Sequence, residues 1–237
     1  MLLALDTSTG TSSLALYDGE AVLAELTWQT YDATAQVMAM IQECLTLLNR
    51  RPADLTGIAV ALGPGSFNGL RVGLALGKGL ALALQVPIVG LPTPEILAYP
   101  FSALVLPVCA ILRAGRGRIV CTNFQTRYGR WQRVGKMRNI TLEELCQQIE
   151  RTTVFCGEID AEMVETIREC LEQRALVASP ALSTRRAGYL AEMGWKRLQE
   201  EPAGDDLEAL QPIYLVRPRI GPAPSAEESA EESGEES

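Results

Sequence analysis

Apolar positions along the chain switch between two periods. Residues 2–6, 12–18 and 20–28 read as three strands, parted by the turn-rich stretch 7–10 and by Asp18-Gly19. Val37, Ile41, Cys44 and Leu48 then recur at helical spacing, which predicts a helix from about 33 to 49. A short buried strand at 58–61, a glycine-rich loop, a helix over 70–84, a strand at 88–91 and a short helix near 94–99 complete the first half. After Pro100 the same order returns. Strands are expected at 104–112, 118–125 and 131–138, a helix at 141–151, a strand at 153–156, a helix at 161–172, a strand at 175–178 and a helix at 183–200.

That order is βββαβαβα written twice. Two such units, each a mixed sheet flanked by helices, make an α/β chain with the duplicated ribonuclease H-like architecture of the actin-like ATPase superfold, shared by actin, hexokinases and heat-shock chaperones. The pattern assigns residues 1–102 to a first unit and 103–217 to a second. From Pro218 onward Pro, Ala, Ser, Gly and Glu dominate, and no large apolar residue follows Ile220. Such a segment buries too little to offset its ordering entropy, so 218–237 is expected to be a disordered acidic tail.

Composition narrows the chemistry. The 237 residues are 47% hydrophobic, ample for a buried core. The first five residues lack a basic region and Asp6 interrupts the apolar run, which argues against a targeting signal. The longest apolar stretch, 70–84, carries Arg71 and Lys78 and falls short of the roughly 20 residues of a spanning helix, so no membrane is expected and a cytoplasmic location follows. Cys44, Cys109, Cys121, Cys146, Cys156 and Cys170 lie scattered without C-x-x-C spacing and read as reduced core residues. There is no histidine, which removes the commonest metal ligand and general base. The net charge of −8 owes six units to tail glutamates, and without them the body stands at −2. A nearly neutral body lacks the global field of a protein that grips nucleic acid unaided.

Two loops carry candidate chemistry. Asp6, Thr7, Ser8, Thr9, Gly10, Thr11 and Ser12 follow a buried strand, and a dense Thr/Ser/Gly loop of this kind donates hydrogen bonds to phosphate in actin-like proteins; the same residues also make ordinary hairpin turns. The second loop, Gly63-Pro64-Gly65-Ser66-Phe67-Asn68-Gly69-Leu70-Arg71, lies between a strand and a helix. It is no Walker A loop, because no Gly-Lys-Ser/Thr ends it; the physics alone gives a tight strand-to-helix turn or an anion site at a helix N-terminus.

This string resembles the G-P-G-S-F-T-G-L-R signature of the TsaB (YeaZ) family, with Asn68 in place of threonine. The opening Leu5-Asp6-Thr7-Ser8 and the closing Pro212-Ile213-Tyr214-Leu215-Val216-Arg217 are similar to that family's start and end. The resemblance is strong over 1–92, loose over 104–200 and absent from the tail. It implies a paralogue of the catalytic subunit TsaD that binds it, together with the ATPase TsaE, during tRNA threonylcarbamoyladenosine formation, without transferase activity of its own. It implies no catalytic residue and no metal in this chain, no cofactor bound by the chain alone, and ATP or ADP only in the complex. Two departures stand out. Ala33-Thr34 replaces a His-Thr or His-Ser pair, and Arg113-Ala114-Gly115 replaces an Asp-Ala-Arg string that would open the second unit. An actin-like ATPase organises metal and water with acidic groups from both units, and arginine cannot take that role. No second acidic site is evident in the sequence.

The helices argue separately for a partner. Over 70–84 only Arg71 and Lys78 are charged, and a helix apolar nearly all round must be covered nearly all round. Val37, Met38, Met40, Ile41 and Leu45 in the first helix, with Gly73, Leu74, Gly77, Lys78 and Ala81 in the second, form the candidate interface. Glycines there would admit another helix closely, and methionines repack against different partners. Equally, the two helices would cover each other and the core. The resemblance implies that this pair joins TsaD or a second copy of the chain.

A last feature is local. Eight basic residues and no acid lie between 113 and 142, interleaved with Phe124, Tyr128 and Trp131. Arg127, Arg130 and Arg133 suit contact with RNA, reached through the complex. They equally suit the solvated face of a hairpin whose edge is charged against aggregation. The preferred reading is a scaffold subunit. The alternatives are a stand-alone actin-like ATPase or small-molecule kinase, supported by the 7–13 loop, and a glycoprotease-type peptidase, opposed by the missing histidines.

Overall fold

The computed structural model describes residues 1–29 and 33–214. The expected acidic tail and Leu215 to Arg217 lie outside the described residues. Among the described residues, ten strands form two five-stranded mixed sheets. In the first, β1 (Leu2–Asp6) is central, antiparallel to β2 (Thr11–Tyr17) and parallel to β4 (Gly57–Gly63); β3 (Val22–Gln29) and β5 (Ile88–Pro92) are the edges. In the second, β6 (Val108–Gly115) is central, antiparallel to β7 (Arg118–Arg127) and parallel to β9 (Thr153–Gly157), with β8 (Arg130–Ile140) and β10 (Ala175–Val177) outside. The orders β3-β2-β1-β4-β5 and β8-β7-β6-β9-β10 are the same pattern, so the duplication expected from the sequence is present. β1 and β4 are buried along their whole length, as their unbroken apolar runs require of strands covered on both faces.

Helices cover each sheet on both sides. α1 (Ala33–Leu47) and α2 (Phe67–Leu84) pack on the outer face of the first sheet, burying Val37, Ile41, Cys44, Leu45, Leu74 and Ala81 against Leu3, Leu5, Leu14, Ile58 and Val60. α4 (Leu142–Cys146) and α5 (Ala161–Leu171) cover the outer face of the second sheet. Between the sheets lie α3 (Thr93–Ala98) and α7 (Ala187–Glu200). These two exchange lobes: α3 follows the first sheet yet sets Leu97 and Ala98 into the second lobe's core. α7 follows the second sheet yet buries Ala187, Leu190, Ala191 and Leu198 on the first. A cut at residue 102 therefore divides the chain order and not the packing. Beyond α7, Asp205 bonds the backbone of β5, and the Ile213 amide donates to the Leu62 carbonyl at 2.7 Å.

Two helices differ from expectation. The helix predicted over 141–151 stops at Cys146 after a capping box between Thr141 and Glu144. The helix predicted over 183–200 is two, α6 (Pro180–Ser183) and α7, because Thr184 and Arg186 are extended, and Arg185 between them is buried. Among the cysteines, Cys170 is exposed on α5 rather than in the core.

α3 also holds a titratable group in the inner layer. Burial pushes the Glu95 carboxyl above its usual range, against the lowering pull of Arg133 and Arg197. A raised folded-state pKa favours the protonated form, so Glu95 contributes most below the ordinary glutamate pKa and its contribution is lost as pH rises through the folded value. Glu95→Gln is expected to raise the melting temperature at pH 7, and paired melts at pH 4 and pH 7 should show the gain shrinking at the lower pH.

Candidate functional site

Three stretches far apart in the chain meet at the end of the first sheet. The Ser66 amide donates to the Ser8 carbonyl at 2.6 Å, and Thr7 Oγ1 donates to the Gly69 carbonyl at 2.7 Å. A Cβ on Gly65 would lie 2.0 Å from the Ser8 carbonyl oxygen, and one on Gly69 2.0 Å from the Thr7 carbonyl oxygen. One on Gly73 would lie 2.2 Å from Thr7 Oγ1. The glycines thus let the start of α2 lie on the loop after β1. Ser66 caps α2 by accepting from the Gly69 amide at 3.4 Å. Pro64 is buried, and Asn68 is exposed. Phe67 carries the Arg71 guanidinium 3.8 Å over its ring and packs on Tyr214 at 5.3 Å between centroids. The 63–71 string therefore joins the opening loop to Ile213 and Tyr214.

A cleft of about 890 Å³ separates the lobes, lined by Thr9, Gly10 and Thr11 on one side and by Arg113, Glu158, Asp160 and Arg185 on the other. Asp6, Thr7, Ser8 and Ser12 are buried. Asp6 Oδ1 accepts from the Ser8 amide at 2.9 Å and from Ser8 Oγ at 2.6 Å. Of the residues proposed from sequence for phosphate contact, Thr9 and Thr11 face the cleft, while the others are turned to internal partners or to the core.

The sequence reading missed the second lobe's acids. Glu158 and Asp160 stand just after β9, which is the repeat equivalent of β4; their signal was that position, directly after a buried strand. Arg185 sits between the lobes, with Nε 3.6 Å from Asp6 Oδ2 and Nη1 3.2 Å from Glu158 Oε1. Its side chain is 7% exposed and that of Asp6 1%. Glu158 Oε2 also accepts from the Arg113 amide at 2.8 Å, the Arg113 guanidinium pairs with Asp160, and Asp160 caps α5. The expectation of no second acidic site is thus corrected: acids from both lobes converge on the cleft, and arginines are their counter-ions. With a fixed guanidinium between Asp6 and Glu158, the pair is arranged as an interlobe ion bridge.

The outer helix layer is the other candidate surface. The structure turns Val37, Ile41, Leu45, Gly73, Leu74, Gly77 and Ala81 inward; a Cβ on Gly77 would lie 2.5 Å from Val60 Cγ1. These seven belong to the core, because α1 and α2 spend one stripe each on their own sheet. Met40 and Lys78 are half-buried. Outside lie Met38, at 44% exposure, with Ala39 and Leu47 on α1, and Ala75, Gly79, Leu82 and Ala83 on α2. By length and hydropathy α2 would span a membrane, yet it lies on the sheet with 28% of its residues buried. Leu76, Leu80 and Leu84 are half-buried against the core, and the outward strip is Ala75, Gly79, Leu82 and Ala83, with Asn68 and Arg71 at its start.

The family model described as TsaD, tRNA N6-adenosine threonylcarbamoyltransferase, matches residues 32–218. The tRNA threonylcarbamoyladenosine biosynthesis protein TsaB of Bacillus subtilis (strain 168) is 30% identical over 221 residues, covering 90% of this chain and 93% of that protein. The chain belongs to the TsaB family. The TsaB of Escherichia coli (strain K12) is 35% identical over 92 residues, 39% of this chain and 40% of that one. Among solved structures, an uncharacterized Pseudomonas aeruginosa protein with similarity to peptidase YEAZ superposes with a TM-score of 0.73 at 24% identity, covering 91% of this chain and 99% of that one. In this TsaB-family chain the signature string is thus a structural joint that also lines, through Gly65, Ser66 and Phe67, a smaller interlobe cavity of about 360 Å³ facing Arg113 and Glu158. The outer face of α1 and α2 and the hairpin of β7 and β8 are open as well.

Proposed function

We propose that this TsaB-family chain is a non-catalytic partner subunit of the assembly that forms threonylcarbamoyladenosine in tRNA. It docks the outer face of α1 and α2 on a TsaD-like transferase and holds that subunit in its working form. The observation that carries this reading is the exposed apolar strip of Ala75, Gly79, Leu82 and Ala83 on α2, beside Met38 and Leu47 on α1. A TsaE-like ATPase completes the assembly, and tRNA is met through it. In the absence of the transferase a second copy of the chain covers the same face. The arginine between Asp6 and Glu158 favours this reading over a stand-alone ATPase, since the groups that would organise a metal and water are already neutralised. ATP or ADP belongs to the assembly; in this chain Thr9, Gly10 and Thr11 would offer it donors from the cleft wall.

The test uses Met38→Glu with Leu82→Glu, two exposed positions whose change leaves the core intact. Charges forced into an apolar interface are expected to weaken co-sedimentation with the transferase by about 100-fold or more. Threonylcarbamoyladenosine in hydrolysed tRNA from a chain-depleted strain should then fail to recover. A folded double variant, checked by circular dichroism, that assembles like wild type would overturn the proposal.

A further inference from the structure

The hairpin of β7 and β8 breaks two local rules at its tip. It turns through Tyr128 and Gly129, both at positive φ (52° and 73°). Two-residue turns of this kind prefer Asn-Gly or Asp-Gly, and a large side chain at positive φ is uncommon. Tyr128 gains no packing in return, since it is fully exposed. The flanking Arg127 and Arg130 are direct cross-strand partners, and like charges in that register repel. Both are exposed, as are Arg133 and Lys136. Among the described residues, the ion pairs use none of these four. Arg133 is within electrostatic reach of Glu95, which leaves Arg127, Arg130 and Lys136 without a nearby acid among the described residues. Arg127 donates only to the neutral Gln125 amide oxygen at 3.5 Å, and Arg127 and Arg130 are the two that face each other.

Edge protection explains a charge on β8, the outermost strand of its sheet. It does not explain two arginines face to face around a bare aromatic ring. Uncompensated local conflict of this kind marks a site whose partner is elsewhere. The partner's chemistry is legible from the residue types. Guanidinium groups pair with phosphate oxygens in a planar, two-point fashion, and an exposed phenol ring stacks on an unpaired base. Without the six tail glutamates the body is at −2, so the positive charge at this hairpin is a local feature and not part of a basic surface.

We propose that the β7–β8 hairpin is an RNA-contacting arm, with Arg127 and Arg130 on phosphates and Tyr128 stacked on an unpaired base of the tRNA. This rests on the reading that the chain works in a tRNA-modifying assembly. The experiment is a fluorescence-anisotropy titration of unmodified tRNA with the chain plus its TsaD-like partner, at several salt concentrations. Arg127→Gln with Arg130→Gln should bind about tenfold more weakly, with a slope of log K against log salt shallower by about one to two. Tyr128→Ala should lose about fivefold or more with the slope unchanged. Arg168→Gln, on exposed α5 of the same lobe, should match wild type.

Assembly is followed by sedimentation on the same samples. Unchanged affinity and slope with assembly intact overturn the arm. So does lost assembly with unchanged RNA binding, which makes the hairpin a protein contact. Wild-type chain that fails to co-sediment with the transferase refutes the partner reading separately, because the titration is also run on the full chain alone. There, RNA binding lost in the double arginine variant supports the arm, and an identical curve overturns it.

Discussion

Gly69→Ala is expected to destabilise the chain by about 3 kcal/mol or more, the upper end of overpacking costs. The added methyl would meet the Thr7 carbonyl oxygen at 2.0 Å, and that oxygen is backbone. Thr7 has nowhere to retreat: its hydroxyl donates to the Gly69 carbonyl, and Ser8 beside it accepts from Ser66 and binds Asp6. For a chain of this length the cost corresponds to a melting point lower by roughly 6–12 °C. Gly65→Ala faces the same distance to the Ser8 carbonyl and should behave alike. Gly79→Ala is the contrast, because nothing lies within 4 Å of its added methyl and the residue is exposed on α2. Relief of the glycine penalty there should stabilise by about 1 kcal/mol. Thermal melts of the three variants decide the matter. If Gly69→Ala melts with wild type, the joint between loop and helix is looser than its contacts indicate.

The same residues show what a sequence discloses and what it hides. The order of elements along the chain and its duplication were readable because a switch from period two to period 3.6 occurs at the same points in both halves. The positions of Gly73 and Gly77 were ambiguous, since small residues let a helix approach either its own sheet or a partner. The stripe Leu70, Gly73, Leu74, Gly77, Ala81 at helical spacing shows the inward choice once the sheet is known. What spacing could not give was Arg185. Its neighbours Thr184 and Arg186 look like one more polar turn of a helix, and its role depends on Asp6 in the other lobe. Glu158 was hidden for a related reason: acids were sought after β6, whereas the fold brings them from the turn after β9.

Arg185→Met is expected to cost about 3–5 kcal/mol, the range for removing one partner of a buried ion pair. The magnitude comes from what is left behind rather than from the bond lost. Asp6 Oδ2 has no hydrogen-bond donor, and its nearby positive charge is the Arg185 guanidinium at 3.6 Å. Methionine keeps most of the volume but leaves that carboxylate buried with no counter-ion, and Glu158 loses its link to the first lobe. Adding Asp6→Asn should return much of the loss, because an uncharged amide is cheaper to bury unpaired than an ion. Urea unfolding of the two single variants and the double variant measures both quantities. A single-variant cost below about 1 kcal/mol would place Arg185 with surface pairs of small worth, and the lobes would then be held by the exchanged helices α3 and α7 alone. A large coupling between positions 6 and 185 would make the bridge what fixes the cleft. In that case the charged centre of the cleft is committed to holding the two lobes together.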